Sequence, residues 1–321
     1  MPLIDLPLDK LYTYNGRMAK PNDFDAYWDR ALQELQDTHS EVEISKSSFQ
    51  TSFADCYDLY FTGVKGARIY AKYVQPHHPP EGKDTFPAVL EFHGYSMNSG
   101  DWTSKLAYAA AGYAVFSMDV RGQGGKSEDP GGVQGNTLEG HIIRGAAEGE
   151  DSLFFRNVYL DTVQLARIVM KMKEIDETDV SVTGWSQGGG LTLACAALEP
   201  RVKKAAAVYP FLSDYLRVWE MDLAVDAYKE MRTHFRRHDP THERKEEFFA
   251  RLNYIDIRHL MPRIKGEIMM GTGLMDTVCP PSTQFAAYNN ITSKKEVVIY
   301  PDFAHENLPG MHDRIWSFLT K

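Results

Sequence analysis

The apolar positions Phe24, Tyr27, Trp28, Ala31 and Leu35 recur at helical spacing behind a proline start and an acidic first turn, which predicts an amphipathic helix over residues 20–36. The next two patterned runs, 55–62 and 68–73, alternate as strands do. Gly63, Val64, Lys65 and Gly66 join them, so they read as an antiparallel hairpin. After a proline-rich loop over 76–87 the pattern alternates between strand and helix. Strands are predicted at 88–92, 114–118, 180–183, 205–209, 267–271 and 296–300, with helices at 103–111, 155–173, after 186, and near 312–319. Such alternation predicts the α/β class, a mostly parallel, doubly wound sheet covered on both faces.

Two segments break the rhythm. Residues 126–150, rich in glycine and charge, read as a long loop at the carboxyl edge of the sheet. Residues 212–262 read as inserted helices forming a cap, with 222–228 and the charged stretch 236–247 as its helical parts. The 321 residues are assigned to one domain with an N-terminal extension over 1–50 and the cap over about 212–262.

Composition narrows the setting. The hydrophobic and charged contents, 43% and 25%, are those of a globular chain, and no apolar run approaches a bilayer's thickness, so no membrane partner is expected. A net charge of −9 disfavours nucleic acid, whose phosphates need clustered Lys and Arg. The opening residues carry two acids and two prolines where a secretory signal has a basic start and an apolar core, which predicts a cytoplasmic protein. Cys56, Cys195 and Cys279 are an odd, scattered set, read as packing residues in a reducing compartment.

Chemistry concentrates at Val180-Ser181-Val182-Thr183-Gly184-Trp185-Ser186-Gln187-Gly188, where a β-branched strand runs into Gly-x-Ser-x-Gly and then an apolar helix. That is the pattern of a nucleophile elbow, which exposes a serine at a strained strand-to-helix turn. Serine is a weak nucleophile unless an imidazole takes its proton and an acid orients the imidazole. Asp276 and His305 each follow a predicted strand and complete the order Ser, Asp, His. Asp302, three residues before His305, is the rival acid, and Asp276 is also placed to cap the segment opening at Pro280. A tetrahedral oxyanion needs two backbone donors, for which the amides of Gln187 and Tyr95 are the candidates. Tyr95, Trp102, Pro210 and Phe211 are candidates to narrow the acyl pocket. The glycines at 122, 124 and 125 do not open onto a helix as a dinucleotide fingerprint requires, and Arg121 reads as a clamp between loops behind the site. His93 has no second ligand spaced to join it, so no metal is expected.

Arg121-Gly122-Gln123, Gly184-Trp185-Ser186-Gln187-Gly188 and His305-Glu306 together resemble the signature blocks of the acetylxylan esterase and cephalosporin C deacetylase family, carbohydrate esterase family seven. The likeness extends to the stretch from Phe155 to Asp161, to Gly273 through Thr283 and to the opening 28 residues, so it covers nearly the whole chain. It implies an α/β-hydrolase fold with Ser186, Asp276 and His305 as triad and Tyr95 and Gln187 as oxyanion donors. It also implies an intracellular esterase without metal or organic cofactor, acting on acetylated xylo-oligosaccharides and cephalosporin C, and a homo-hexamer whose sites face an inner cavity. The family usually has glycine before the nucleophile, where this chain has Trp185. Two other readings remain at this level. One is a serine peptidase or acylaminoacyl hydrolase on the same fold, although the stretch before residue 80 is short for a peptide-filtering domain. The other is an inactive hydrolase fold serving as a binding module.

Overall fold

The computed structural model describes residues 4–130 and 138–321. Of the predicted loop over 126–150, residues 131–137 lie outside the described residues, as do the first three residues of the chain. The strands are β1 (Val42–Lys46), β2 (Ala54–Thr62), β3 (Arg68–Pro76), β4 (Phe86–Phe92), β5 (Ala114–Met118), β6 (Ile175–Trp185), β7 (Lys204–Val208), β8 (Glu267–Gly273) and β9 (Lys295–Tyr300). Among the described residues they form one nine-stranded sheet in the order β1-β2-β3-β5-β4-β6-β7-β8-β9. From β5 to β9 all neighbours are parallel, and β1, β2 and β3 extend the sheet as an antiparallel edge. The helices are α1 (Leu8–Leu11), α2 (Phe24–Asp37), α3 (Leu106–Ala110), α4 (Phe154–Met170), α5 (Gln187–Leu198), α6 (Tyr215–Glu220), α7 (Lys229–His238), α8 (Lys245–Leu252), α9 (Pro281–Asn290) and α10 (Met311–Leu319).

The central strands are apolar on both sides because helices cover both faces. On one face α2, α4 and α5 pack over Leu90, Phe116, Val182 and Ala205; on the other, α3 and α10 pack over Val89, Val115, Ala206 and Met269. All five apolar positions predicted for α2 are buried. Helix α5 has no polar stripe, being buried along its whole length between the sheet and α4.

Three local expectations differ from the structure. The hairpin gains a third strand, since β1 pairs with β2 from Val42 opposite Phe61 to Lys46 opposite Tyr57. The segment 222–228 is chiefly a turn between α6 and α7, because Asp222 and Asp226 adopt φ of 56° and 46°, which ends α6 and delays α7. The charged stretch 236–247 is likewise a break: α7 stops at His238 before Pro240, His242 has φ 58°, and α8 starts at Lys245.

Candidate active site

Strand β6 ends at Trp185 and helix α5 begins at Gln187, so Ser186 alone makes the corner, with φ 58° and ψ −119°. A non-glycine residue holds this conformation only where its surroundings over-determine it. Here Ser186 N donates to Val208 O at 3.0 Å, and Ser186 O accepts from Gly190 N at 3.0 Å and Phe211 N at 3.1 Å. The corner is also too tight for side chains nearby. A Cβ at Gly184 would lie 2.4 Å from the Gly188 carbonyl carbon, and one at Gly188 would lie 2.0 Å from Phe92 O.

The loop after β9 brings His305 back to this corner. Its Nε2 lies 3.0 Å from Ser186 Oγ and its Nδ1 lies 2.8 Å from Asp276 Oδ2. Because a carboxylate only accepts, Nδ1 carries the proton and Nε2 is left to accept from the serine hydroxyl. Asp276, on the turn after β8, is fully buried. Its Oδ1 accepts from Val278 N at 2.8 Å and Cys279 N at 2.7 Å, and its Oδ2 also accepts from Gln284 Nε2 at 3.4 Å. Asp276 is thus the acid partner of His305, and the neighbouring Glu306 instead accepts from Ala304 N at 3.0 Å within its own loop. Asp276, Cys279 and His305 offer metal-type donor atoms within 4.8 Å of one another, but the acid and the imidazole are already engaged with each other and with Ser186.

Gln187 and the loop carrying Tyr95 are fastened to each other through Gln123. Gln123 Nε2 donates to Gln187 Oε1 at 2.8 Å, Gln187 Nε2 donates to Gln123 Oε1 at 3.0 Å, and Ser96 N donates to Gln123 Oε1 at 2.9 Å. His93, at the end of β4, steadies the same loop: its Nδ1 meets Gly94 O at 2.7 Å and its Nε2 accepts from Val120 N at 2.9 Å. Burial lowers the His93 pKa, consistent with a neutral ring serving as acceptor. Tyr95 OH donates to Glu230 on α7, a buried carboxylate that also accepts from the amides of Gly140, Ile142 and Ile143. Sequence reasoning missed Glu230, whose partners lie 87 or more residues away.

Arg121 is buried in the loop after β5. Its Nε and Nη2 each lie 2.6 Å from an Asp161 oxygen, and Nη2 also donates to Val64 O at 3.2 Å, tying β5's loop to α4 and to the β2–β3 turn. Gly122, with φ 61°, turns the chain so that Gln123 faces Gln187.

A cavity of about 1230 Å³ opens beside Ser186 and His305. Of the four candidates for the acyl pocket, Tyr95 and Phe211 are among the residues lining the cavity, while Trp102 and Pro210 are not. Trp102 is occupied elsewhere, stacked on Phe49 at 6.1 Å under the Lys72 ammonium. Pro210 backs the first turn of α5, its Cα 3.2 Å from where a Cβ of Gly189 would sit. Trp185 forms part of the cavity wall, stacked on His312 at 4.6 Å and edge-on to Tyr209 at 5.5 Å; Tyr209 in turn lies 4.3 Å from the His305 ring.

A mostly parallel sheet with a serine on its strand-to-helix elbow, an imidazole and an acid in hydrogen-bonded sequence defines an α/β-hydrolase. A family model described as acetyl xylan esterase matches residues 1–321, and the chain belongs to the acetyl xylan esterase family, a family of carboxylic ester hydrolases. The chain is similar to the crystal structure of acetyl xylan esterase 1 from Thermoanaerobacterium sp. JW/SL YS485, at 58% identity and TM-score 0.94 over 98% of each chain. It is also similar to an acetyl xylan esterase from Paenibacillus sp. R4, at 35% identity and TM-score 0.89 over 98% of this chain and 99% of that one. Acetyl esterase Axe7A of Xylanibacter ruminicola is 29% identical over 306 residues, 92% of this chain; the chain spans 65% of that longer relative.

Proposed function

We propose that the protein is a serine esterase that removes acetyl groups from small acetylated sugars, xylo-oligosaccharides foremost, and from cephalosporin C, through an acetyl-enzyme on Ser186. The observation that carries the reading is the unbroken chain of contacts Asp276, His305, Ser186 at 2.8 and 3.0 Å at the mouth of a cavity. As Ser186 Oγ attacks the acetyl carbonyl carbon, His305 Nε2 takes its proton. The amides of Gln187 and Tyr95 receive the charge that develops on the carbonyl oxygen. His305 then gives its proton to the departing sugar oxygen, and in the second half takes one from the attacking water and passes it to Ser186 Oγ as acetate leaves. Asp276 stays ionised throughout, holding Nδ1–H.

Membership of the acetyl xylan esterase family favours acetyl over longer acyl groups. The test is a series of p-nitrophenyl esters together with acetylated xylo-oligosaccharides and cephalosporin C. Faster cleavage of butyrate than of acetate, or no acetate release from any acetylated sugar, contradicts the reading.

The setting is proposed as cytoplasmic and the assembly as a homo-hexamer. Three unpaired, buried cysteines suit a reducing compartment. Among the described residues no helix is long and apolar enough to cross a membrane. The edge strand β1 exposes Val42 and Ile44, the kind of apolar edge that contact between subunits covers. Light scattering should return six times the chain mass of 36.4 kDa; a monomer contradicts the assembly.

A further inference from the structure

The cavity beside Ser186 is far larger than an acetyl group requires, and charged side chains are part of its lining. Glu91 is the penultimate residue of β4, an interior strand flanked by β5 and β6, a position where apolar side chains are the rule. Its side chain is nevertheless 21% exposed, and it lines the cavity, so that exposure is to the cavity. Lys105 Nζ lies 3.5 Å from the carboxylate and is itself only 7% exposed. In register, Glu91 faces Ser117 on β5 and Thr183 on β6, which puts a hydroxyl beside it on each neighbouring strand.

A buried ion pair is costly to desolvate, and apolar residues of the same volume commonly serve a core as well or better. Burial pushes the Glu91 carboxyl up, against the pull of Lys105. A pair kept under these conditions and turned toward an open space is arranged for a ligand. Aromatic rings line the same cavity: Trp185 stacks on His312 at 4.6 Å, and Trp316 stacks on Tyr108 at 4.9 Å. From Thr183 beside the pair to Ser186 is three residues of chain, about 10 Å at strand spacing. That is room for a sugar residue.

We infer that Glu91 and Lys105 form a subsite for the sugar ring of the leaving group, holding its free hydroxyls while the aromatic walls cover its C–H faces. This rests on the esterase reading above and adds which part of the cavity takes the alcohol side of the ester. A carboxylate that accepts beside an ammonium that donates matches the paired hydroxyls of a pyranose. An acetyl group has no hydroxyl to donate to the carboxylate.

The test compares kcat/KM for an O-acetylated methyl β-xyloside with kcat/KM for ethyl acetate, whose leaving group is too short to reach the pair. In Glu91→Gln and Lys105→Met the ratio of the two should fall about tenfold or more, the worth of a hydrogen bond to a charged group, with the loss on the sugar ester mainly in KM. A ratio that stays within twofold of wild type in both variants overturns the subsite. Should either single variant fail to fold, the paired replacement Glu91→Leu with Lys105→Met removes both charges together and is read the same way. In the wild-type protein, methyl β-xyloside should inhibit ethyl acetate hydrolysis competitively, and no inhibition up to its solubility limit also overturns the subsite. Ethyl acetate hydrolysis that survives Ser186→Ala contradicts the esterase mechanism instead, so the two failures are distinguishable.

Discussion

Gln123 and Gln187 face each other as a closed pair of carboxamides, each donating to the other at 2.8 and 3.0 Å, and both side chains are fully buried. Since Gln123 Oε1 also accepts from Ser96 N, one side chain fixes the loop of Tyr95 relative to the residue after the nucleophile. The two proposed oxyanion donors thereby share a single brace.

Replacing Gln123 with methionine keeps the volume and removes the brace. The buried Gln187 carboxamide and the half-buried Ser96 amide then lose a partner, so stability should fall by about 1–3 kcal/mol. Displaced donors stabilise the oxyanion less well, and kcat should drop at least about tenfold with KM little changed. Steady-state kinetics and a urea melt check both; an unaltered kcat removes Gln123 from any positioning role.

Arg121 and Asp161 are 1% and 0% exposed and meet in a two-pronged contact. Leaving one member of such a pair behind strands a charge in the core, so Asp161→Leu alone should cost about 3–5 kcal/mol. Arg121→Lys should also destabilise, because an ammonium cannot reproduce the planar fork. The joint replacement Arg121→Met with Asp161→Leu should cost less than Asp161→Leu alone. Denaturant unfolding of the three variants decides it.

Acid should weaken the fold through two imidazoles. His93 is held below its ordinary value of 6.5 by burial, and His259 is lowered to about 3, by burial first and then by the charge of Arg258. A folded state that prefers neutral histidine lets the unfolded chain take up protons first. The stabilisation is therefore whole above pH about 6.5 and is lost as pH falls, the share from His259 continuing down toward pH about 3. Calorimetric midpoints should fall from pH about 7 to about 5, and less steeply in His259→Gln, which keeps a donor for Asn253 Oδ1. A slope identical to wild type in that variant refutes the assignment.

Much of this was legible in the chain itself, for reasons that differ by residue. The elbow at Ser186 announces itself because the strain of the corner demands glycine at 184 and 188, and Asp276 and His305 follow from their places after strands. What escaped was decided by tertiary contact. Strand β1 is exposed along all five residues, so no buried face marks it out. Glu91 reads as an interruption of an apolar strand until the cavity beside it is seen. The pairing of Gln123 with Gln187 spans 64 residues, and the reach of Tyr95 to Glu230 spans 135, distances over which local pattern carries no signal. Where Trp102 turns is likewise a tertiary matter, since its stacking partner Phe49 is 53 residues away in the chain.

The central claim is that Ser186, activated by His305 under the hold of Asp276, carries the acetyl group. The most direct measurement is hydrolysis of p-nitrophenyl acetate by Ser186→Ala, His305→Ala and Asp276→Asn, with mass spectrometry of the wild-type protein quenched during turnover. The account predicts losses in kcat of about 10⁴-fold or more in each variant, together with an acetyl adduct confined to the peptide bearing Ser186. Activity within tenfold of wild type in Ser186→Ala, or an adduct on any other residue, would contradict it.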